Sequence, residues 1–207
     1  MEYLVLTLED LQTYQGQDFF YYCLWYLGSL EHAEFNISDA LEIQNAIIKH
    51  KPFDISIAEE LDLHTTSQVI KRRIKKIKDL QENLQFEVKR DKTLIIVALD
   101  VIYDVIKTLL KQNAGEPNLA LGNLLKVWCC IWLVHSVGDS RHAAPSITQT
   151  RISEQAGISR NSCNKAISTL IDLKLITQYG KYLAGSFGYC YKVAEQHANY
   201  LKWYKNE

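Results

Sequence analysis

Residues 147–173, ITQTRISEQAGISRNSCNKAISTLIDL, read as a short helix, a sharp reversal and a longer helix. Thr148 offers a hydroxyl to cap the first helix, in which Ile152 and Ala156 face inward one turn apart. Gly157 ends that helix, because a tight reversal needs a residue tolerant of positive φ and glycine has no Cβ to clash. Ile158 follows as the apolar plug of the turn, and Ser159 is placed to cap the second helix. There Cys163, Ala166, Ile167, Leu170 and Ile171 recur at three- and four-residue spacing, which predicts one buried stripe. The opposite face carries Arg160, Asn161, Asn164, Lys165 and Ser168, none of them acidic.

Amides and hydroxyls both donate and accept hydrogen bonds, so a helix presenting them beside Arg and Lys suits the base edges and phosphates of a duplex major groove. Every surface helix has a polar face; the turn chemistry beside this one is what favours nucleic acid over plain solvation. Downstream, 175–179 reads as a strand, 180–188 as a turn-rich tip with three glycines, and 189–193 as a second strand. A helix-turn-helix followed by a hairpin makes a winged helix. On these features residues 119–193 resemble the winged helix-turn-helix superfamily of bacterial and phage regulators, with 152–160, ISEQAGISR, in the place of its signature. The resemblance implies groove contacts from Arg160, Asn161, Asn164 and Lys165; Ser159 at the cap and Ser168 on the same helix are further DNA-contact candidates. It also implies a wing contact to phosphate or minor groove from Lys181, the only charge of the tip, and Arg151 is a further phosphate candidate.

The chain has 207 residues, of which 47% are hydrophobic, enough for one large or two small cores. Only three prolines interrupt it, at 52, 117 and 145, which favours a helix-dominated protein. Five cysteines, 23, 129, 130, 163 and 190, are odd in number and lack a CxxC spacing, as in a reduced, cytoplasmic protein. The six histidines show no ligand spacing, so neither a metal nor a cofactor is expected. No signal peptide is expected, and the most apolar runs, 19–27 and 127–137, fall short of the roughly 20 residues that span a bilayer. No nucleophile elbow, phosphate-binding loop, dinucleotide fingerprint or zinc-protease motif occurs, which argues against an enzyme.

Charge is segregated along the chain. Residues 1–65 carry twelve acidic and two basic side chains, 66–92 nine basic and four acidic, 93–140 three basic and four acidic, and 141–207 nine basic and four acidic. The net charges are therefore −10, +5, −1 and +5, and the two basic stretches are where an anionic partner can dock.

The first basic stretch invites comparison with 147–173. Residues 54–61 read as a short helix, 63–64 as a turn, and Thr65 with Gln68 as a capping box opening a longer helix with Ile70, Ile74, Ile77, Leu80 and Leu84 inward. Six of the eight residues from Lys71 to Lys78 are basic, more than solvation of an amphipathic face needs. Residues 86–88 and 93–98 then flank the tip Lys89-Arg90-Asp91-Lys92 as a hairpin, and Asp100 caps a helix with Val101, Ile102, Val105, Ile106, Leu109 and Leu110 inward. An aromatic-rich helix precedes each unit, 17–30 in the first and the stretch around 127–132 in the second. The register differs, however: Ile158 is followed five positions on by the inward Cys163, whereas Leu63 is followed by Gln68, and Asp62 stands where a turn glycine would.

The expected fold is mainly α with small β-hairpin wings, an α+β protein built as a tandem winged helix-turn-helix. Its expected parts are 1–112, a linker at 113–118 and 119–207, with a terminal helix near 194–204. The competing picture is a helical N-terminal domain for dimerisation or ligand sensing followed by one winged helix. The expected function is sequence-specific binding of double-stranded DNA by a transcriptional regulator, with additional contacts from Lys71, Arg72, Lys75, Lys76, Lys89 and Arg90. Two alternatives stand beside it: a plasmid or phage replication or transfer protein, and a protein-interaction adaptor on the same scaffold. A homodimer and a protein partner for the acidic N-terminal region are compatible with each; a membrane is not among the expected partners.

Overall fold

The structure, a computed structural model, describes residues 3–30, 44, 46, 50–83, 94–137, 147–183 and 186–197. The chain divides into two compact units, Met1–Gly122 and Asn123–Glu207.

In the first unit, β1 (Tyr3–Thr7) is a run of aromatic, branched and aliphatic residues, all buried, that pairs antiparallel with β2 (Leu94–Ala98) in the register Tyr3 to Ala98 and Thr7 to Leu94. The other edge of β1 is closed by a side chain. Val5 N–H donates to Gln44 Oε1 at 2.8 Å and Gln44 Nε2 donates to the Val5 carbonyl at 2.6 Å, so the buried amide replaces a neighbouring strand there. Thr7 ends the strand and opens α1 (Leu8–Thr13) through a capping box with Asp10.

Helix α2 (Gln17–Leu30) is buried without a break from Phe19 to Leu30, as expected of a helix apolar on every side. Tyr14 stacks on Tyr22 at 4.3 Å, and the Tyr22 hydroxyl donates to that of Tyr26 at 3.1 Å, which gives the phenols of Tyr22 and Tyr26 a polar partner inside the core. Burial raises the pKa of Tyr22, Tyr14 and Tyr26.

Helices α3 (Ser56–Glu60) and α4 (Ser67–Asn83) follow. The cap of α4 is Thr66, whose Oγ1 accepts from the Val69 N–H at 3.4 Å, rather than Thr65 with Gln68; the Thr65 N–H is already engaged by the Leu63 carbonyl and Gln68 is exposed. Ile70, Ile74 and Ile77 form the buried stripe. Leu80 departs from it, 40% exposed, being rotated about 60° from Ile77 around the helix axis. The expected inward residue Leu84 lies outside the described residues.

The strand expected at 93–98 is present as β2, and its described partner is β1; residues 86–88, assigned to it by sequence, lie outside the described residues, as does the tip 89–92. Helix α5 (Leu99–Gln112) buries all six residues expected to face inward. Its N-cap is Ala98, not Asp100, which sits in the first turn and acts there on the helix dipole instead of capping it. Beyond α5, Gly115 adopts φ +73°, and its carbonyl accepts from the His64 N–H at 2.9 Å; a Cβ at this position would strike the Asp62 carbonyl.

Helix α6 (Leu119–Val137) runs into the second unit, where Trp128 and Trp132 stack at 5.1 Å in its buried part. Next come α7 (Gln149–Ala156), α8 (Arg160–Asp172) and the antiparallel hairpin β3 (Ile176–Leu183) with β4 (Ser186–Val193), to whose Tyr191 Ile147 adds an isolated bridge. The hairpin is longer than its sequence suggested. Gly180 pairs with Tyr189 and Lys181 with Gly188, so two of the three glycines lie inside the strands, and the pairing continues to Leu183 with Ser186. Glycine weakens strand propensity without forbidding the extended backbone, and cross-strand pairing prevails here. The loop 138–146 and the tail from 198 onward, with most of the expected terminal helix, lie outside the described residues.

Candidate nucleic-acid interface

The interface candidate is built on the reversal between α7 and α8. Thr148 caps α7 by accepting from the Arg151 N–H, and Gly157 closes it at φ +62°, ψ +36°. The Gly157 N–H donates to the Glu154 carbonyl at 3.3 Å and the Ile158 N–H to the Ser153 carbonyl at 3.1 Å, the closure that satisfies the last carbonyls of a helix. Two residues later Ser159 caps α8, its Oγ accepting from the Ser162 N–H at 3.2 Å and donating to Ser162 Oγ at 3.0 Å. The reversal is thus hydrogen-bonded on both sides and leaves α8 one orientation.

Ile152 and Ala156 from α7 and Cys163, Ala166, Ile167 and Leu170 from α8 are all buried, fixing which face of α8 turns outward. Each of Ile152, Ile167 and Leu170 contributes roughly 1.5–3 kcal/mol by leaving water. Ile171, expected in the same stripe, is half-buried at its edge. Burial pushes the Cys163 thiol up to about 11, so at neutral pH it is an uncharged core group beneath the helix.

One polar group in this core was not anticipated. Lys126, on α6, is fully buried and its Nζ donates to the Ala156 carbonyl at 3.3 Å. That carbonyl stands at the negative end of α7, immediately before Gly157, so the ammonium meets the helix dipole where the chain reverses. The sequence does carry a signal for it. Lys126 is the only Lys, Arg, Asp or Glu in the apolar run 119–137, and a buried charge must find acceptors.

Outward from this frame, Ser159, Arg160, Asn161, Asn164, Lys165 and Ser168 are all exposed, and Arg151 is exposed on α7. The Arg160 guanidinium reaches back to Thr150 Oγ1 at 3.4 Å, which anchors its stem to α7 while its remaining donors face solvent. From Ser159 to Ser168 the exposed face holds two cations, two amides and two hydroxyls and no carboxylate, a donor and acceptor set matched to base edges. Lys181 lies in β3 opposite Gly188. Tyr189 and Lys192 on β4 are exposed as well, and neither was singled out by sequence.

Residues 142–177 match the winged helix-turn-helix DNA-binding family. The match spans α7, the reversal and α8, and ends at the start of β3. No curated protein and no solved structure gives a match to the chain. This stretch of the second unit is thus similar to a winged helix-turn-helix DNA-binding domain.

The other expected contacts belong to the first unit. Lys71, Arg72 and Lys75 are exposed on α4, whereas Lys76 Nζ lies 2.6 Å from Asp18 Oδ2; Lys89 and Arg90 lie outside the described residues. Among the described residues no cluster of His, Cys, Asp and Glu could hold a metal ion, and no helix is long and apolar enough to cross a membrane.

Proposed function

We propose that the protein binds double-stranded DNA at preferred sequences, with α8 in the major groove, and acts as a transcriptional regulator. The observation that carries this reading is the outward face of α8 from Ser159 to Ser168, which holds no carboxylate (the exposed Asp172 comes one turn later) and follows a reversal capped on both sides. In this arrangement Arg160, Asn161, Asn164, Lys165 and Ser168 address base edges, Ser159 with Arg151 and Lys181 addresses the sugar-phosphate backbone, and the basic segment 66–92 adds contacts from the first unit. Amides are the chemistry for adenine edges and Arg for guanine, so the preferred site contains both base types. The division into 1–112, 113–118 and 119–207 and a tandem relation between the two units are part of the same proposal.

Selection from a random duplex library tests it. The expected outcome is an enriched motif, with an affinity for it that falls steeply between 50 and 200 mM salt. Absence of binding to any duplex at low salt would contradict the reading and favour a protein-interaction adaptor. Sequencing of genomic fragments bound by the full chain then separates the regulator from a replication or transfer protein, by the location of the sites at promoters or at an origin.

A further inference from the structure

Six cations crowd into α4 between Lys71 and Lys78, and the fold divides them into two sets. Arg73 and Lys76 turn towards α2, where their nitrogens lie 3.6 and 2.6 Å from the two carboxylate oxygens of Asp18. Lys78 lies over the Trp25 ring, 5.3 Å from its centroid. These three fasten α4 to α2. The other three, Lys71, Arg72 and Lys75, are exposed and have no ion-pair partner among the described residues. At 100° per residue they fall, with the exposed Gln68, in one sector opposite the Ile70, Ile74 and Ile77 stripe, over a length of roughly 10 Å. Asp79 ends the basic sector on that side.

The two outward helices differ in chemistry. From Ser159 to Ser168 the face of α8 mixes amides, hydroxyls and cations, while the α4 sector from Gln68 to Lys75 is three cations and one amide. Ammonium and guanidinium groups only donate, and without a partner set of acceptors they bind phosphate oxygens wherever these occur. The sector lies in a stretch of net charge +5, inside a unit whose first 65 residues carry −10, so an anion is drawn to this face and repelled from much of the remainder.

We propose that Gln68, Lys71, Arg72 and Lys75 form a second DNA-contact surface, one that grips the phosphate backbone of a duplex and does not read its sequence. The inference rests on the DNA-binding reading above and specifies which cations of the basic segment serve it. Arg73, Lys76 and Lys78 have a structural task instead.

The test uses the full chain with Lys71→Gln, Arg72→Gln and Lys75→Gln combined, against the wild type and against Lys111→Gln, an exposed lysine of α5 in the same unit. Affinities for the selected duplex and a scrambled one are measured from 50 to 200 mM salt, and helix content by circular dichroism. The slope of log affinity against log salt is expected to lose about 2.7 in the triple variant, so that its affinity changes about 40-fold less over that range. Affinity for both duplexes drops together and the ratio between them is kept. A triple variant that folds and retains the wild-type slope overturns the proposal, and an acidic protein partner then fits the face better. So does a variant whose loss is confined to the selected duplex, since that means α4 reads bases. If the wild type binds no duplex, the DNA-binding reading itself fails; if it binds and only the triple variant behaves like wild type, the failure is confined to α4.

Discussion

The two helix pairs, α3 with α4 and α7 with α8, leave their first helix in the same way and enter the second differently. After α3 the Asp62 N–H donates to the Glu59 carbonyl and the Leu63 N–H to the Ala58 carbonyl; after α7, Gly157 and Ile158 do the same with Glu154 and Ser153. Asp62 and Gly157 both take positive φ, +56° and +62°. From there the second unit needs only Ile158 before Ser159 caps α8, whereas the first inserts Leu63, His64 and Thr65 before Thr66 caps α4. The shorter link leaves fewer ways to orient the second helix, and it has a buried lysine at its apex. A helix that positions bases to within a hydrogen bond needs that rigidity; a helix that meets phosphates tolerates less of it.

The largest effect on the second reversal is expected at Lys126. Replacing it by Ala removes the ammonium from the Ala156 carbonyl and leaves a cavity in the core, and a loss of about 3 kcal/mol is expected in a denaturant titration. If stability is unchanged, the reversal does not depend on this contact. Gly157→Ala comes next, with an expected loss of about 1–2 kcal/mol because a Cβ is strained at φ +62°. The converse change, Asp62→Gly, relieves the same strain and is expected to stabilise the first unit by about 0.5–1 kcal/mol. Opposite signs at equivalent positions are the signature of a shared turn geometry; a destabilised Asp62→Gly would mean that the side chain, not the backbone, matters there.

Alkaline titration sharpens the same point at smaller scale. The Cys163 thiol is raised from 9.0 to about 11 by burial, so the unfolded chain releases its proton first. The stability it protects is complete below about pH 9 and declines as pH rises towards 11. Cys163→Ala is expected to flatten that part of the pH profile of unfolding, and the buried tyrosines Tyr14, Tyr22 and Tyr26 deepen the decline at higher pH in both proteins.

Most of the second unit was legible because its local signals agree: Thr148, Gly157 and Ser159 each match the backbone they sit on, and the apolar spacing of α8 fixes its face. The first unit was less so. The positive φ of Asp62 is hidden behind a side chain that usually marks other structure, and the pairing of β1 with β2 joins residues some ninety positions apart, which no local pattern encodes. The inward turn of Arg73, Lys76 and Lys78 was equally hidden, since a count of cations does not reveal that Asp18 and Trp25 lie against them. Within the site, the outward residues of α8 followed from periodicity, whereas Lys126 required knowing which carbonyl its helix would meet.

Sequence reading by α8, as proposed, is tested by competition binding of wild type and the Arg160→Ala, Asn164→Ala double variant to a selected duplex and its scrambled counterpart. Each lost base contact is worth about 1–3 kcal/mol of discrimination, so the double variant is expected to lose tenfold or more of its preference while its affinity for the scrambled duplex stays close to wild type. An unchanged ratio in a folded variant would contradict the account.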